Sequence, residues 1–184
     1  MWVIERAHEE DFQVLEGLVE STFIETWTGI VDDTHLQQHL AVGHGRQIVT
    51  QCIDCPKTDV FVVRGESGLV GYAVGHVSSD NDEFSLHNYY KLEKLYLRAS
   101  AQGHGLGRRL WNIMVDVASG YGAPGIYLTH YPLNLRASNF YSQIGLRKVA
   151  ETIYECGDGE YRDWVLAAKW DELDLTSDEK GVTA

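Results

Sequence analysis

Two stretches of this chain hold residues whose types and spacing suit chemistry. The first is Gln102-Gly103-His104-Gly105-Leu106-Gly107, followed by Arg108-Arg109-Leu110. It comes after the apolar run Leu95-Tyr96-Leu97 and opens an amphipathic segment. A glycine-rich turn at a helix start lets backbone N–H groups close around a diphosphate. Two common phosphate loops do not fit. A P-loop ends in Gly-Lys-Ser/Thr, and no such pair follows these glycines. A dinucleotide fingerprint needs Gly-x-Gly-x-x-Gly. Counted from Gly103 the last place holds Arg108, and from Gly105 it holds Leu110. The second stretch is Asn134-Leu135-Arg136-Ala137-Ser138-Asn139-Phe140-Tyr141, then Ile144-Gly145-Leu146. Asn134 and Tyr141 are seven apart, about two helical turns, and so share a face. On the residues alone, Asn134 is equally a helix N-cap and Tyr141 equally a core residue.

Gln102-x-x-Gly105-x-Gly107 resembles the pyrophosphate motif (Arg/Gln-x-x-Gly-x-Gly/Ala) of the GNAT family of N-acetyltransferases, whose ligand is acetyl-CoA. The Asn134…Tyr141 segment, with Gly145-Leu146, looks like that family's Asn-x-x-Ala-x-x-Phe-Tyr…Gly-Phe segment. The two motifs stand in the family's order, and together they are more specific than either alone. The resemblance implies a site. Backbone groups of Leu95, Tyr96 and Leu97 would pair with the pantetheine arm. Gly103, His104, Gly105, Leu106, Gly107 and Arg108 would hold the diphosphate, behind Gln102. Asn134 and Ala137 would meet the pantetheine. Leu97 N–H would face the developing oxyanion, a donor typically worth about 3–4 kcal/mol of barrier. Tyr141 would hydrogen-bond the thioester sulfur and protonate the departing thiolate. The implied mechanism is direct attack of an amine in a ternary complex. No cysteine lies in either motif, which disfavours an acyl-cysteine intermediate.

An attacking amine must lose a proton. Many family members carry a glutamate early in the strand before the glycine loop, where this chain has Lys91. Glu93, two residues on, lies on the same side of a strand and is one candidate base. His130 and a water chain are the others. A second departure is Ala99, where the family often has proline. Scattered positions, including Thr22-Phe23 and Asp163-Trp164-Val165-Leu166, look like the branch with bacterial polyamine (spermidine/spermine) acetyltransferases.

The elements needed to position these residues are legible. Val3–Arg6 reads as a strand. Asp11 is a plausible N-cap for a helix to about Phe23, and Thr34 for one to about Val42. Arg46–Ile53 suits a short helix. Asp59–Gly65 and Leu69–Val77 read as a hairpin, and Tyr89–Leu97 as a third long strand. Gly107–Gly120 is a helix with an inner face of Leu110, Ile113, Met114 and Val117. Ile126–Tyr131 is a strand, Leu135–Ile144 a helix, and Leu146–Tyr154 and Tyr161–Lys169 a closing hairpin. The order predicts an α/β fold with helices on both faces. The resemblance makes it a GNAT-like mixed, mostly antiparallel central sheet. Residues 1–170 are expected to form a single domain and 171–184 an acidic, flexible tail.

Composition narrows the partners. The 184 residues carry a net charge of −12, which argues against nucleic acid and suits a cationic small acceptor. No run approaches the roughly 18 apolar residues of a membrane span, and the acidic N-terminus is not a signal peptide. Cytoplasmic location follows as the default. Cys52-x-x-Cys55 is a lone pair with Cys156 far off, so no metal is expected. His35, His39 and His44 could be imagined as partners for it, the first two one helical turn apart. The leading reading is therefore acetyl transfer from acetyl-CoA to a small-molecule amine. The others are a protein or peptide acceptor, and a non-catalytic acyl-CoA-binding module. Resemblance also suggests a homodimer.

Overall fold

The computed structural model describes residues 1–54, 57–78 and 84–175. Its elements are β1 (Val3–Arg6), α1 (Phe12–Trp27), α2 (Asp33–Ala41), α3 (His44–Asp54), β2 (Thr58–Gly65), β3 (Gly68–Val77) and β4 (Tyr90–Leu97). Then come α4 (Leu106–Gly120), β5 (Gly125–His130), α5 (Leu135–Gln143), β6 (Arg147–Cys156) and β7 (Gly159–Lys169). The strands form one seven-stranded sheet in the order β1-β2-β3-β4-β5-β7-β6. Among the described residues, only β4 and β5 pair in parallel. The mixed, mostly antiparallel sheet that the family resemblance implied is present.

Alternation along the strands splits the core into two layers. Val63 and Ala73 pack with Leu106, Leu110, Trp111 and Met114 of α4. Their neighbours Val62 and Tyr72 face the other way, onto Leu15, Leu18 and Val19 of α1 and Val49 of α3. Helices therefore cover both faces.

Three local expectations are corrected. Asp11 does not cap α1. Its carboxylate accepts from Arg64 at 2.8 Å and from the His8 N–H at 3.0 Å instead. The cap of α2 is Asp32, not Thr34: its side chain accepts from the N–H groups of Thr34 and His35. The buried stripe of α4 is Leu106, Leu110, Trp111, Met114, Val115 and Ala118, with Ile113 and Val117 on its margin. Burying Trp111 removes more apolar surface than burying Ile113, so the helix rolls toward it.

Of the tail expected over 171–184, residues 171–175 are described and are fastened. Glu172 accepts from Lys169 N–H, Asp174 N–H donates to Ile144 O, and Arg108 donates to Asp174 O. Residues 176–184 lie outside the described residues, as does Cys55. Cys52 is buried in the layer between α3 and β2. Among the described residues, no three His, Cys, Asp or Glu side chains gather as a metal site. No described helix is long and apolar enough to cross a membrane.

Candidate active site

The site begins where the sheet opens. The parallel ladder between β4 and β5 holds only at Tyr90↔Ile126 and Lys91↔Tyr127. Beyond it the strands part, and the β5-facing edge of β4 is left without a ladder. The register shows which groups line that edge. Arg98 N–H bonds Val70 O, so the adjacent Leu97↔Gly71 pair is a non-hydrogen-bonded one. The N–H and C=O of Leu97 therefore point into the gap, as do those of Leu95, two residues earlier. Close approach of the strands here needs Gly71, where a Cβ would sit 2.9 Å from Tyr96 O and closer still to the Leu97 side chain.

The glycine loop follows directly. Gly103 and Gly105 have φ of +80° and +74°, a region that L side chains enter at a cost. Gly105 is the residue before α4, and Arg109 N–H bonds its carbonyl. The N–H groups of Leu106, Gly107 and Arg108 then have no helical partner. They form an anion-binding end, with the helix dipole behind them. Gln102 donates its side-chain amide to Leu97 O at 2.9 Å, so its amide ties the loop to the strand. His104 is exposed, and its ring packs on Trp2 with centroids 4.6 Å apart. Ala99 shows why the family's proline is dispensable: its N–H donates to Glu25 Oε2 at 2.8 Å, a bond proline cannot make.

The Asn134 segment faces the loop across the gap. Asn134 caps α5, accepting from Ala137 N–H at 3.2 Å. Its Oδ1 is thereby used, and its amide N–H₂ remains to meet a ligand. Tyr141 is buried and held edge-on to His130 at 5.5 Å. Burial pushes its phenol pKa well up, so Tyr141 is a proton donor at any physiological pH. His130 Nε2 lies 2.6 Å from Ser138 Oγ, and that hydroxyl donates to Pro132 O. His130 therefore donates through Nε2. Burial lowers its pKa to about 4. Both facts suit an anchor for α5 and Tyr141 rather than a base.

All of this lines one cavity of about 1260 Å³. Leu95 to Leu97, Gln102, Gly103, Gly105 to Arg108, Asn134, Ala137 and Tyr141 lie on its wall; His104 does not. Arg108 and Arg136 supply positive charge. The donors suit acetyl-CoA: anion-binding N–H groups at one end, an open strand edge in the middle, and a buried phenol beyond.

Glu93 sits at an irregularity. Val74 pairs Lys94 and Gly75 pairs Leu92, so Glu93 is bulged out of the ladder. Its carboxylate lies 2.7 Å from Lys91 Nζ, 3.8 Å from the His76 ring and 3.9 Å from Lys94 Nζ. Burial opposes ionisation, but His76 and the two lysines outweigh it and hold the pKa far down. A carboxylate so stabilised is a poor proton acceptor at neutral pH.

The chain's sequence matches the acetyltransferase (GNAT) family model over residues 19–146. The chain belongs to the GNAT family of acetyltransferases. Among its relatives is an uncharacterized N-acetyltransferase in the pepI 3′ region of Lactobacillus delbrueckii subsp. lactis. That protein is 26% identical over 114 residues, 62% of this chain and 66% of the relative. The fold is shared with PaiA N-acetyltransferase from Thermoplasma acidophilum in complex with coenzyme A, at a TM-score of 0.72 and 16% identity, covering 92% of this chain and 99% of that one. It is shared too with yncA from Salmonella typhimurium with its cofactor acetyl-CoA, at a TM-score of 0.61 and 19% identity, over 100% and 99% of the two chains.

Sequence reasoning missed the far half of the cavity, made by Phe23, Trp27, Tyr131, Tyr154, Tyr161 and Asp163. One signal was available. Along Tyr161, Asp163, Val165 and Ala167 every second residue belongs to one face, and an acid there is out of place.

Proposed function

We propose that this protein transfers an acetyl group from acetyl-CoA to a primary amine of a small molecule, by direct attack in a ternary complex. The observation that carries the reading is the parted β4/β5 edge. The N–H of Leu97 belongs to that edge, and the start of α4 and Tyr141 line the same cavity. Leu95 and Leu97 bind the pantetheine arm as a strand would, and Gly103 to Arg108 hold the diphosphate. Leu97 N–H stabilises the oxyanion. Tyr141 gives its proton to the thiolate as the carbon–sulfur bond breaks. The N–H₂ of Asn134 meets the pantetheine. Glu93 pairs with Lys91 and offsets part of the charge of Lys94, and takes no proton. The net charge of −12 favours a cationic acceptor, with polyamines first in line.

The test is CoA thiol release from acetyl-CoA with spermidine, spermine, diamines, aminoglycosides, amino acids and short peptides, at pH 7 to 9. Release with one class of small amine is the expected result. Tyr141→Phe should then lower kcat about 10-fold or more, with acetyl-CoA affinity unchanged. Release only with peptides would replace the small-molecule reading with a protein acceptor. Tight acetyl-CoA binding without release for any amine would refute catalysis of this kind.

A further inference from the structure

The far half of the cavity has an unassigned polar group. Asp163 on β7 is 6% exposed and lines the cavity. Its Oδ1 is buried without a hydrogen-bond partner. Such an orphan is costly, and a native site that keeps one calls for a reason. Lys94 of β4 is the nearest candidate counter-ion, yet its ion pair is with Glu93 at 3.9 Å.

Tyr96 and Tyr154 lie close enough to Asp163 to feel its charge, and the same cavity is walled further by Trp27, Tyr131 and Tyr161. Trp27 lies 6.1 Å from Tyr131, centroid to centroid, and Tyr131 lies 5.4 Å edge-on to Tyr161. The polar tips of Trp27, Tyr161 and Tyr154 are already engaged. Trp27 donates to Tyr96 OH at 3.2 Å, Tyr161 OH is 2.9 Å from His35 Nδ1, and Tyr154 OH is 3.3 Å from His39 Nε2. What they offer a ligand is therefore ring faces and edges, which suit a cation and its alkyl stem. A single unpaired carboxylate behind aromatic walls has the chemistry of an ammonium site.

We propose that Asp163 is the acceptor's anchor, receiving an alkylammonium group of the amine substrate between Trp27, Tyr131 and Tyr161. This rests on the amine-acceptor reading above and deepens it. The ammonium donates to the Asp163 carboxylate, which by turning about χ2 brings Oδ1 to the ligand and removes the orphan. Burial raises the pKa of Asp163 to about 6 against the pull of Lys94, so the carboxylate is ionised at the pH of the assay and its charge has no full partner until an amine arrives. Asp163 acts in binding; the proton leaves the reacting amine to water.

The experiment has two arms. By calorimetry on the CoA-saturated protein, n-butylamine and spermidine should bind, whereas n-butanol should bind at least about 10-fold more weakly, since it carries no charge to pair. Asp163→Asn should abolish that preference while binding CoA as the wild type does. In turnover, the same variant should raise KM for the accepted amine about 30-fold or more with kcat within a few-fold, as loss of a ground-state contact predicts. Equal binding of n-butylamine and n-butanol overturns the proposal. So does an unchanged KM in Asp163→Asn, or loss of CoA binding together with amine binding. If no amine is acetylated at all, the proposed activity fails, and the calorimetric arm still decides the anchor.

Discussion

Gly105→Val is expected to weaken acetyl-CoA binding at least about 100-fold while leaving the fold intact. Gly105 has φ +74° and precedes α4. A β-branched residue in that conformation costs about 1–2 kcal/mol or more, so the loop is expected to relax toward negative φ. Relaxation turns the N–H groups of Leu106 and Gly107 off their common target. No neighbouring atom lies within 4 Å of a Cβ placed there, so packing is spared and the damage falls on the ligand. Calorimetric titration with acetyl-CoA measures the effect, and circular dichroism checks the helices. Binding within about threefold of wild type would show that the loop does not hold the diphosphate.

Asp163→Asn is expected to stabilise the protein near neutral pH. The folded-state pKa of Asp163, about 6, lies above its ordinary value of 3.8 because burial disfavours the charge. Below about pH 3.8 the group is protonated in both states, and its contribution is fully present. As pH rises through about 6, folding must tolerate a buried charge, and that stability is lost. The groups around it are Lys94 and Tyr96 on β4, Tyr154 on β6 and Tyr161 on its own strand, with only Lys94 a full opposite charge. The loss is at most about 3 kcal/mol at pH 7. Asparagine keeps the shape and cannot ionise. The variant should therefore gain stability over wild type between pH 4 and 7, by up to about 6–12 °C in Tm for a chain of this size. A difference independent of pH, or a variant less stable at pH 7, would contradict it. Together with the expected rise in KM, the result would place Asp163 among residues kept for function against stability.

The sequence by itself determined more of the cofactor side than of the acceptor side. Gln102 to Arg108 is a local motif. Its turn, its φ values and its helix start are set within a few residues, so spacing suggests an anion-binding loop, and the family resemblance implies that the anion is a diphosphate. Asn134 as the cap of α5 is equally local. The strand and helix order likewise follows from periodicity, and it fixed the mixed sheet. Short-range rules erred where distant partners compete. Asp11 looked like a cap until Arg64, 53 residues away, claimed its carboxylate. The stripe of α4 was misjudged because the sheet beneath it decides which side of Trp111 is buried. Glu93 satisfied the spacing for a base, but only the tertiary structure gathers His76, Lys91 and Lys94 around it and depresses its pKa. The part of the cavity walled by Trp27, Tyr131 and Asp163 was the least legible. Its wall combines α1, β4, the end of β5, β6 and β7, and no window of sequence holds Trp27, Tyr131 and Asp163 together. Backbone-held chemistry is written locally, because a loop's conformation is short-range. Side-chain chemistry depends on burial and neighbouring charge, and those exist only once the sheet has closed.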